Sequence, residues 1–231
     1  PRSTLFPYTT LFRSKAGGSF NDIYIYKFAR NAAGQIILDE KDGKPTKAAT
    51  QEKVGNVNPD FILGWNNTIG YKKFYCSILV NGKFGGKAFS KTEAFLDSYG
   101  VSQRTADARD NASHLIPINA IKGTTAVTSI DAKTYYDAVG DRNRIMEPYI
   151  FSRTNIRLAQ IVLGYNLDVQ KLKLPIKDAS ISLIGRNLFF FYKKAPYDPE
   201  NTMSTSNSMQ SNEVFSMPAT RTYGINLKLT F

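Results

Sequence analysis

The stretch that decides the fold is the last one, Arg221-Thr222-Tyr223-Gly224-Ile225-Asn226-Leu227-Lys228-Leu229-Thr230-Phe231. Tyr223, Ile225, Leu227, Leu229 and Phe231 are apolar at every second position. Thr222, Gly224, Asn226, Lys228 and Thr230 fill the alternate places. A period of two puts the two sets on opposite faces of a β-strand. A membrane-spanning strand needs about 9–11 residues and one apolar face, and this segment supplies both. An ordinary half-buried strand of a soluble β-domain would show the same alternation, so the segment alone leaves two readings open.

Composition narrows them. The chain has 231 residues, enough for one large or two modest domains, and 13% of them are aromatic, with fifteen Phe and thirteen Tyr against one Trp. That bias favours strands. No run of eighteen apolar residues occurs, so no transmembrane helix is expected; a soluble fold and a β-barrel remain. Cys76 and His114 are each alone, which excludes an internal disulfide, a cysteine metal cluster and most histidine-based hydrolytic chemistry. The net charge of +11 is scattered over loops and the polar phase of strands. No helix-turn-helix, zinc-finger or RNP-like motif accompanies it, so no nucleic-acid partner is expected. There is no GxSxG string, phosphate loop or paired-carboxylate site, so an enzyme is not expected either.

Working back from the closing strand, Ala179 to Tyr192 reads as another long strand and ends in Leu188-Phe189-Phe190-Phe191-Tyr192. Such an aromatic cluster suits a girdle at a membrane interface. Tyr149 to Leu167 is a third. Its apolar phase slips after Ala159-Gln160, which predicts a β-bulge. Pro59 to Ile69 and Phe74 to Gly85 form a hairpin reversed by Gly70-Tyr71-Lys72-Lys73. Nearer the N-terminus, Phe20 to Arg30 and Gln35 to Asp39 read as strands, with Thr46 to Lys53 as a patternless polar loop.

Two excursions separate the long strands. About sixty residues after Gly85 lack strand character. In them Ser90 to Tyr99 reads as a helix with Ser90 as N-cap, Glu93 three places on and Gly100 as its stop. Val101 to Asp110 predicts a second short helix, and Asp131 to Val139 a third, capped by Asp131. The other excursion, Lys193 to Pro218, is rich in Ser, Asn and Met. Long loops on one side and a tight turn on the other are the asymmetry of outer-membrane barrels.

Pro1 to Ser14, PRSTLFPYTTLFRS, is similar to the translation of a sequencing adaptor, and residues 15–231 are taken as the native part. Several ordered strings in that part resemble the C-terminal region of the SusC/RagA family of TonB-linked outer-membrane proteins. They are Gly55-Asn56-Val57-Asn58-Pro59-Asp60-Phe61, Leu63-Gly64-Trp65-Asn66-Asn67, Tyr71-Lys72-Lys73-Phe74 and Gly85-Gly86-Lys87-Ala88-Phe89-Ser90. They continue with Asn155-Ile156-Arg157-Leu158, Leu163-Gly164-Tyr165, Gly185-Arg186-Asn187-Leu188-Phe189, Tyr197-Asp198-Pro199-Glu200 and Met217-Pro218-Ala219-Thr220-Arg221-Thr222-Tyr223-Gly224. Two places depart from the family pattern. Arg30-Asn31-Ala32-Ala33-Gly34 lacks the carboxylates of a calcium-like loop, and Gln160 stands where relatives carry a Glu near Arg157.

The resemblance implies an all-β fold: an antiparallel transmembrane β-barrel segment, seven or eight strands of a roughly 22-stranded barrel. Its extracellular loops would be long and contain short helices. It implies a TonB-dependent importer of glycans or oligopeptides in the outer membrane of a Gram-negative, Bacteroidota-like bacterium. The implied partners are a SusD-like surface lipoprotein, TonB through a missing N-terminal part, the outer-membrane insertion machinery and lipid. Tyr223, Ile225, Leu227, Leu229 and Phe231 would carry the assembly signal. Arg153, Asn155, Arg157 and Arg186 would line the lumen, with a salt-bridge role favoured for them over substrate contact. Tyr99, Tyr135, Tyr136 and Tyr197 would sit in loops facing substrate or lid. No cofactor, metal site or catalytic residue is implied. The competing reading is a secreted β-sandwich that binds carbohydrate; the charge-free band Ile181, Leu183, Ile225, Leu227 and Leu229 argues against it.

Overall fold

The computed structural model describes residues 17–139, 145–168, 176–201, 203 and 212–230. The adaptor-like stretch and Phe231 lie outside these residues.

The chain opens with three short strands, β1 (Asp22–Ile25), β2 (Ile36–Leu38) and β3 (Glu52–Asn56), followed by the long pair β4 (Phe61–Tyr71) and β5 (Phe74–Phe84). Next come β6 (Lys87–Ser90), α1 (Lys91–Ser98), α2 (Gln103–Asp110), β7 (Leu115–Lys122), β8 (Thr125–Asp131) and α3 (Ala132–Val139). A 3-10 turn at Glu147–Tyr149 leads into β9 (Ile150–Ser152), then β10 (Asn155–Leu167), β11 (Asp178–Lys193), β12 (Asn212–Glu213) and β13 (Thr222–Thr230). The described chain is thus mostly β with few helices, and no described helix is long and apolar enough to cross a membrane.

It divides into two compact units. One comprises Pro59–Gly86, Ser152–Asn201 and Met217–Phe231. Its five strands form one antiparallel sheet in the order β13-β11-β10-β5-β4. Each long strand pairs with the next long strand along the chain. All but one of these strands have eleven or more residues, and β13 has nine, against five or six in an average strand. The reversal between β4 and β5 is only Lys72-Lys73, with Lys72 at φ 55, so it is tighter than the four-residue turn expected.

The predicted bulge is present. Register on both sides of β10 shifts between Leu158 and Gln160, so Ala159 is the extra residue and Ile161 rejoins the apolar face. Gly85, at φ 82, permits the chain to leave β5 against Asp60, whose carboxylate fills the space a Cβ would need.

Where seven or eight barrel strands were expected, five long strands form this sheet among the described residues. The remaining strands are short and belong to the other unit, made of Pro1–Asn58, Lys87–Phe151 and Thr202–Ser216. Its core gathers Ile23, Ile25, Phe28, Val57, Phe89, Ala94, Val139, Ile145 and Tyr149. A smaller cluster of Leu38, Ala120 and Ile130 lies beneath β2, β7 and β8. Asp22, almost wholly buried on β1, takes Lys53 Nζ at 2.7 Å and Asn56 Nδ2 at 3.0 Å from β3.

The helix expectations are met at their caps. Ser90 accepts from Glu93 N, Gly100 at φ 67 donates to Asp97 O, and Asp131 Oδ2 accepts from Thr134 N. The excursion after Gly85 is not strand-free, however. β7 and β8 form a hairpin around Gly123 (φ 58), and β3 falls partly in the stretch read as a polar loop. Pro117 hid β7: a proline inside a run argues against a strand, and here the register shifts right after it.

Candidate functional site

The register of the five-stranded sheet aligns its apolar residues into one face. From β4 across β5 to β10, Trp65 faces Val80, which faces Leu158; Ile69 faces Cys76, which faces Leu163. The row continues with Leu163 beside Leu183 and Leu183 beside Ile225. Tyr165, Ile181 and Leu227 make the next row, and Leu167, Ala179 and Leu229 the one after.

These side chains are open to the surroundings: Leu63, Ile69, Leu163, Leu183, Ile225 and Leu227 are all more than half exposed. Leaving a half-exposed side chain of this size in water forfeits about 1 kcal/mol. A dozen or more on one face thus forfeit on the order of 10–15 kcal/mol, comparable to the whole stability of a typical domain. A face of this kind needs an apolar medium.

Aromatic rings mark both ends of the band. Phe61 stacks on Phe84 at 4.6 Å and Phe189 meets Phe191 edge-on at 4.9 Å. Phe74 packs on Tyr165 at 4.6 Å, with Tyr71 opposite Phe74. From Phe61 to Tyr71 the strand runs about 33 Å at ~3.3 Å per residue, and a barrel tilt of ~40° brings that to about 25 Å, the height of an outer-membrane apolar band.

The opposite face is mostly polar, with Ile62, Leu79, Val162 and Ile184 among its residues. It presents Asn66, Thr68, Ser77, Asn81, Asn155, Arg157, Gln160, Asn166, Ser180, Ser182, Arg186, Asn226 and Lys228. Thr68 donates to Ser77 and Ser77 to Asn66. Tyr223, Ile225, Leu227 and Leu229 all lie on the apolar face, as the alternation requires.

Of the candidate lumen residues, Asn155, Arg157 and Arg186 lie on the polar face, whereas Arg153 sits just before β10. Arg157 Nη1 reaches Glu200 Oε2 at 2.8 Å, and Lys83 Nζ reaches Glu200 Oε1 at 3.1 Å. Arg157 is therefore paired, with a carboxylate from the second excursion instead of the missing Glu at position 160. Gln160 instead accepts from Arg186 Nε at 3.3 Å. Arg153 Nε donates to Pro199 O, and burial lowers the pKa of its guanidinium. Asp198 accepts from Glu200 N and Ala219 N and pins the base of that excursion. Lys83, Asp198 and Glu200 have no place among the sequence candidates. The string Tyr197-Asp198-Pro199-Glu200 flagged the last two without giving them a role.

The candidate tyrosines separate. Tyr99 is exposed, its ring beside Phe95. Tyr135 stacks on Phe28 and packs with Tyr136 against the core; burial pushes the Tyr135 hydroxyl up to about 12. Both of these are taken up in packing. Tyr197 is half-buried, and its carbonyl accepts from Lys193 Nζ. In the turn Arg30–Gly34, Asn31 Oδ1 accepts from Ala33 N and Gln35 N while Arg30 binds Glu147. A side-chain amide closes that turn.

A sheet of long strands with one exposed apolar face, aromatic edges and a polar reverse is of the outer-membrane barrel class. The comparisons agree. A TonB-dependent receptor, P3, of Formosa agariphila is 27% identical over 204 residues, 86% of this chain and 19% of that protein. TonB-dependent receptor P39 of the same organism is 28% identical over 195 residues, 80% of this chain and 18% of its own length. The RagAB peptide importer in its closed-closed state matches 98% of this chain and 24% of the compared chain, with a TM-score of 0.62 at 15% identity. The RagAB peptide transporter matches 93% of the chain with a TM-score of 0.59 at 17% identity. No protein-family model matches.

The chain is homologous to TonB-dependent receptors, and its fold is that of part of the RagAB importer. It spans about a fifth of the length of the curated relatives it matches. The relatives are named as receptors and importers, in keeping with a role in transport.

Proposed function

We propose that this chain is part of the barrel wall of a TonB-dependent outer-membrane transporter. It imports glycans or oligopeptides together with a SusD-like surface lipoprotein. The observation that carries the reading is the apolar face running across β4, β5, β10, β11 and β13, interrupted by Asn67 and backed by a mostly polar face. The receptor homologues support the TonB dependence, and the RagAB likeness supports the transporter fold. The connections β5 to β10 and β11 to β13, and the chain entering β4, all meet the sheet at one end. In the membrane that end faces outward, toward lid protein and cargo. Arg157 and Glu200 hold the wall together there. TonB engages the parent protein outside this chain, and the insertion machinery reads the closing strand.

Cysteine labelling of the full-length parent, with Cys76→Ser as background, tests the reading. Ile225→Cys is expected to react with a membrane-soluble maleimide and resist a charged one, and Asn226→Cys to do the reverse. Equal reaction of both with the charged reagent in intact outer membranes would overturn it.

A further inference from the structure

The polar face is not evenly charged. Asn155 is opposite Lys83 on one side and Lys193 on the other, so these three form one row at the end where the excursions begin. Arg157 lies two residues further along β10, and Arg186 one step beyond, opposite Gln160. Arg153 precedes the row. Five cations therefore lie toward this end, and the acids beside them are Glu200, Asp198 and, against Gly85, Asp60.

Glu200 is shared between Lys83 and Arg157. Asp198 is turned to the backbone N–H groups of Glu200 and Ala219. Lys193 is held by the carbonyls of Pro196 and Tyr197 and lies 5.9 Å from the centroid of the Phe190 ring, and Arg186 is held by the neutral amide of Gln160. Arg157 Nε and Asn155 Oδ1 are buried without a partner. The cations outnumber these acids, which suits a ligand that brings carboxylates.

We propose that this basic cluster recognises carboxylate groups on the transported cargo, so that the transporter prefers acidic oligomers. The inference rests on the transporter reading above. Arg186 and Lys193 are the exposed contacts; Arg157 and Lys83 are positioned beneath them by Glu200. The planar fork of Arg186 suits bidentate carboxylate binding, and Lys193 adds a point charge. Clustered charge at a mouth also raises the local concentration of anionic ligand before it binds.

The test uses the purified full-length parent in detergent, titrated with two acidic probes, hexaglutamate and tetragalacturonate, and two neutral ones, a Gly-Ser hexapeptide and maltotetraose. At least one acidic probe is expected to bind ~10-fold more tightly than its neutral counterpart and to weaken as salt rises. Whichever acidic probe binds identifies the carboxylate source as peptide or uronate. Arg186→Gln with Lys193→Gln is expected to remove that preference, while Arg186→Lys keeps part of it. The inference is overturned if a folded parent binds acidic and neutral probes alike, binds neither kind, or keeps its preference in the double variant. Folding is read from the heat-modifiable mobility of the barrel on gels. A parent without that signature overturns the transporter reading itself, which separates the two failures.

Discussion

The ring of Tyr75 on β5 occupies the space in which a side chain of Gly164 on β10 would begin, and the two residues face each other in the register of the sheet. Both lie on the mostly polar face of the sheet. The glycine gives the ring a seat against the neighbouring backbone. Gly164→Val in the parent protein should drive the ring off that seat and cost about 1–3 kcal/mol. Urea titration of the heat-modifiable barrel measures it. Combining Gly164→Val with Tyr75→Ser should restore most of the loss. A single variant as stable as the parent would refute the pairing.

Glu200 joins β5 and β10 through Lys83 and Arg157, and both cations are under two-fifths exposed in their side chains. Glu200→Gln keeps the shape but leaves two cations facing each other. Discounted for that partial exposure, the loss should be about 1–2 kcal/mol. The midpoint of urea unfolding should fall, and raising salt should shrink the difference between variant and parent. A difference that does not respond to salt would mean that Glu200 acts through packing.

How much of this was legible beforehand differs between the two units. The long strands were readable because one face of the sheet is apolar, and Ile181, Leu183, Ile225, Leu227 and Leu229 recur at every second position on it. Even the bulge at Ala159 was visible, since one extra residue moves every following side chain to the other face. The other unit was read at its helices, where Ser90 and Asp131 announce caps, and at β1 and β2, which fall inside the runs Phe20–Arg30 and Gln35–Asp39. Most of its other strands were missed: β6 and β12 are too short to show a period and pair with each other across the chain, and Pro117 masks β7. The salt link to Glu200 was invisible for a related reason. Its partners are 43 and 117 residues away along the chain, as the numbers Arg157 and Lys83 show.

Glu213 is such a distant partner again. Nearly fully buried, it accepts from Ser90 Oγ at 2.6 Å, from Thr92 Oγ1 at 2.8 Å and from Ser216 N at 3.2 Å. It thus fixes β12 to the start of α1, where a negative charge also meets the helix dipole favourably. Glu213→Ala would strand two hydroxyls and an amide, at about 2 kcal/mol. Hydrogen exchange followed by mass spectrometry should quicken in peptides covering 87–98 and 212–216, with β10 and β11 unchanged. Uniform quickening everywhere would show that the contact is no local clamp.

Asp22 gives a pH dependence with a definite sign. Its carboxyl is held below the ordinary carboxylate range, first by the hydrogen bond from Lys53, then by that from Asn56. A lowered folded pKa means that this stabilisation is complete above the unfolded value, about 4, and is lost as pH falls through the lower folded value. Protection of peptides from β1 and β3, corrected for intrinsic exchange, should therefore decline on acidification below about pH 4. Asp22→Asn should flatten that limb. An unchanged limb in the variant would assign it to another carboxylate.

The sharpest contrast lies one residue apart on the closing strand. Ile225 sits on the apolar face beside Leu183, and Asn226 on the polar face beside Ser182. A lysine at the middle of a lipid-facing strand costs about 2–4 kcal/mol, whereas on the lumen side it meets water. Ile225→Lys in the parent should therefore reduce folded barrel in the outer membrane, and Asn226→Lys should leave it near normal. The strand is the same, its backbone pairing with β11 is the same and the added side chain is the same. Only the medium on each side differs. In a soluble sandwich the order of the two effects could follow burial under a second sheet, but here the apolar face is open and three-quarters of the Ile225 side is exposed. Lipid against that face makes Ile225→Lys the damaging change of the two. Comparable levels of heat-modifiable barrel for the two variants would remove the membrane from the account of this face.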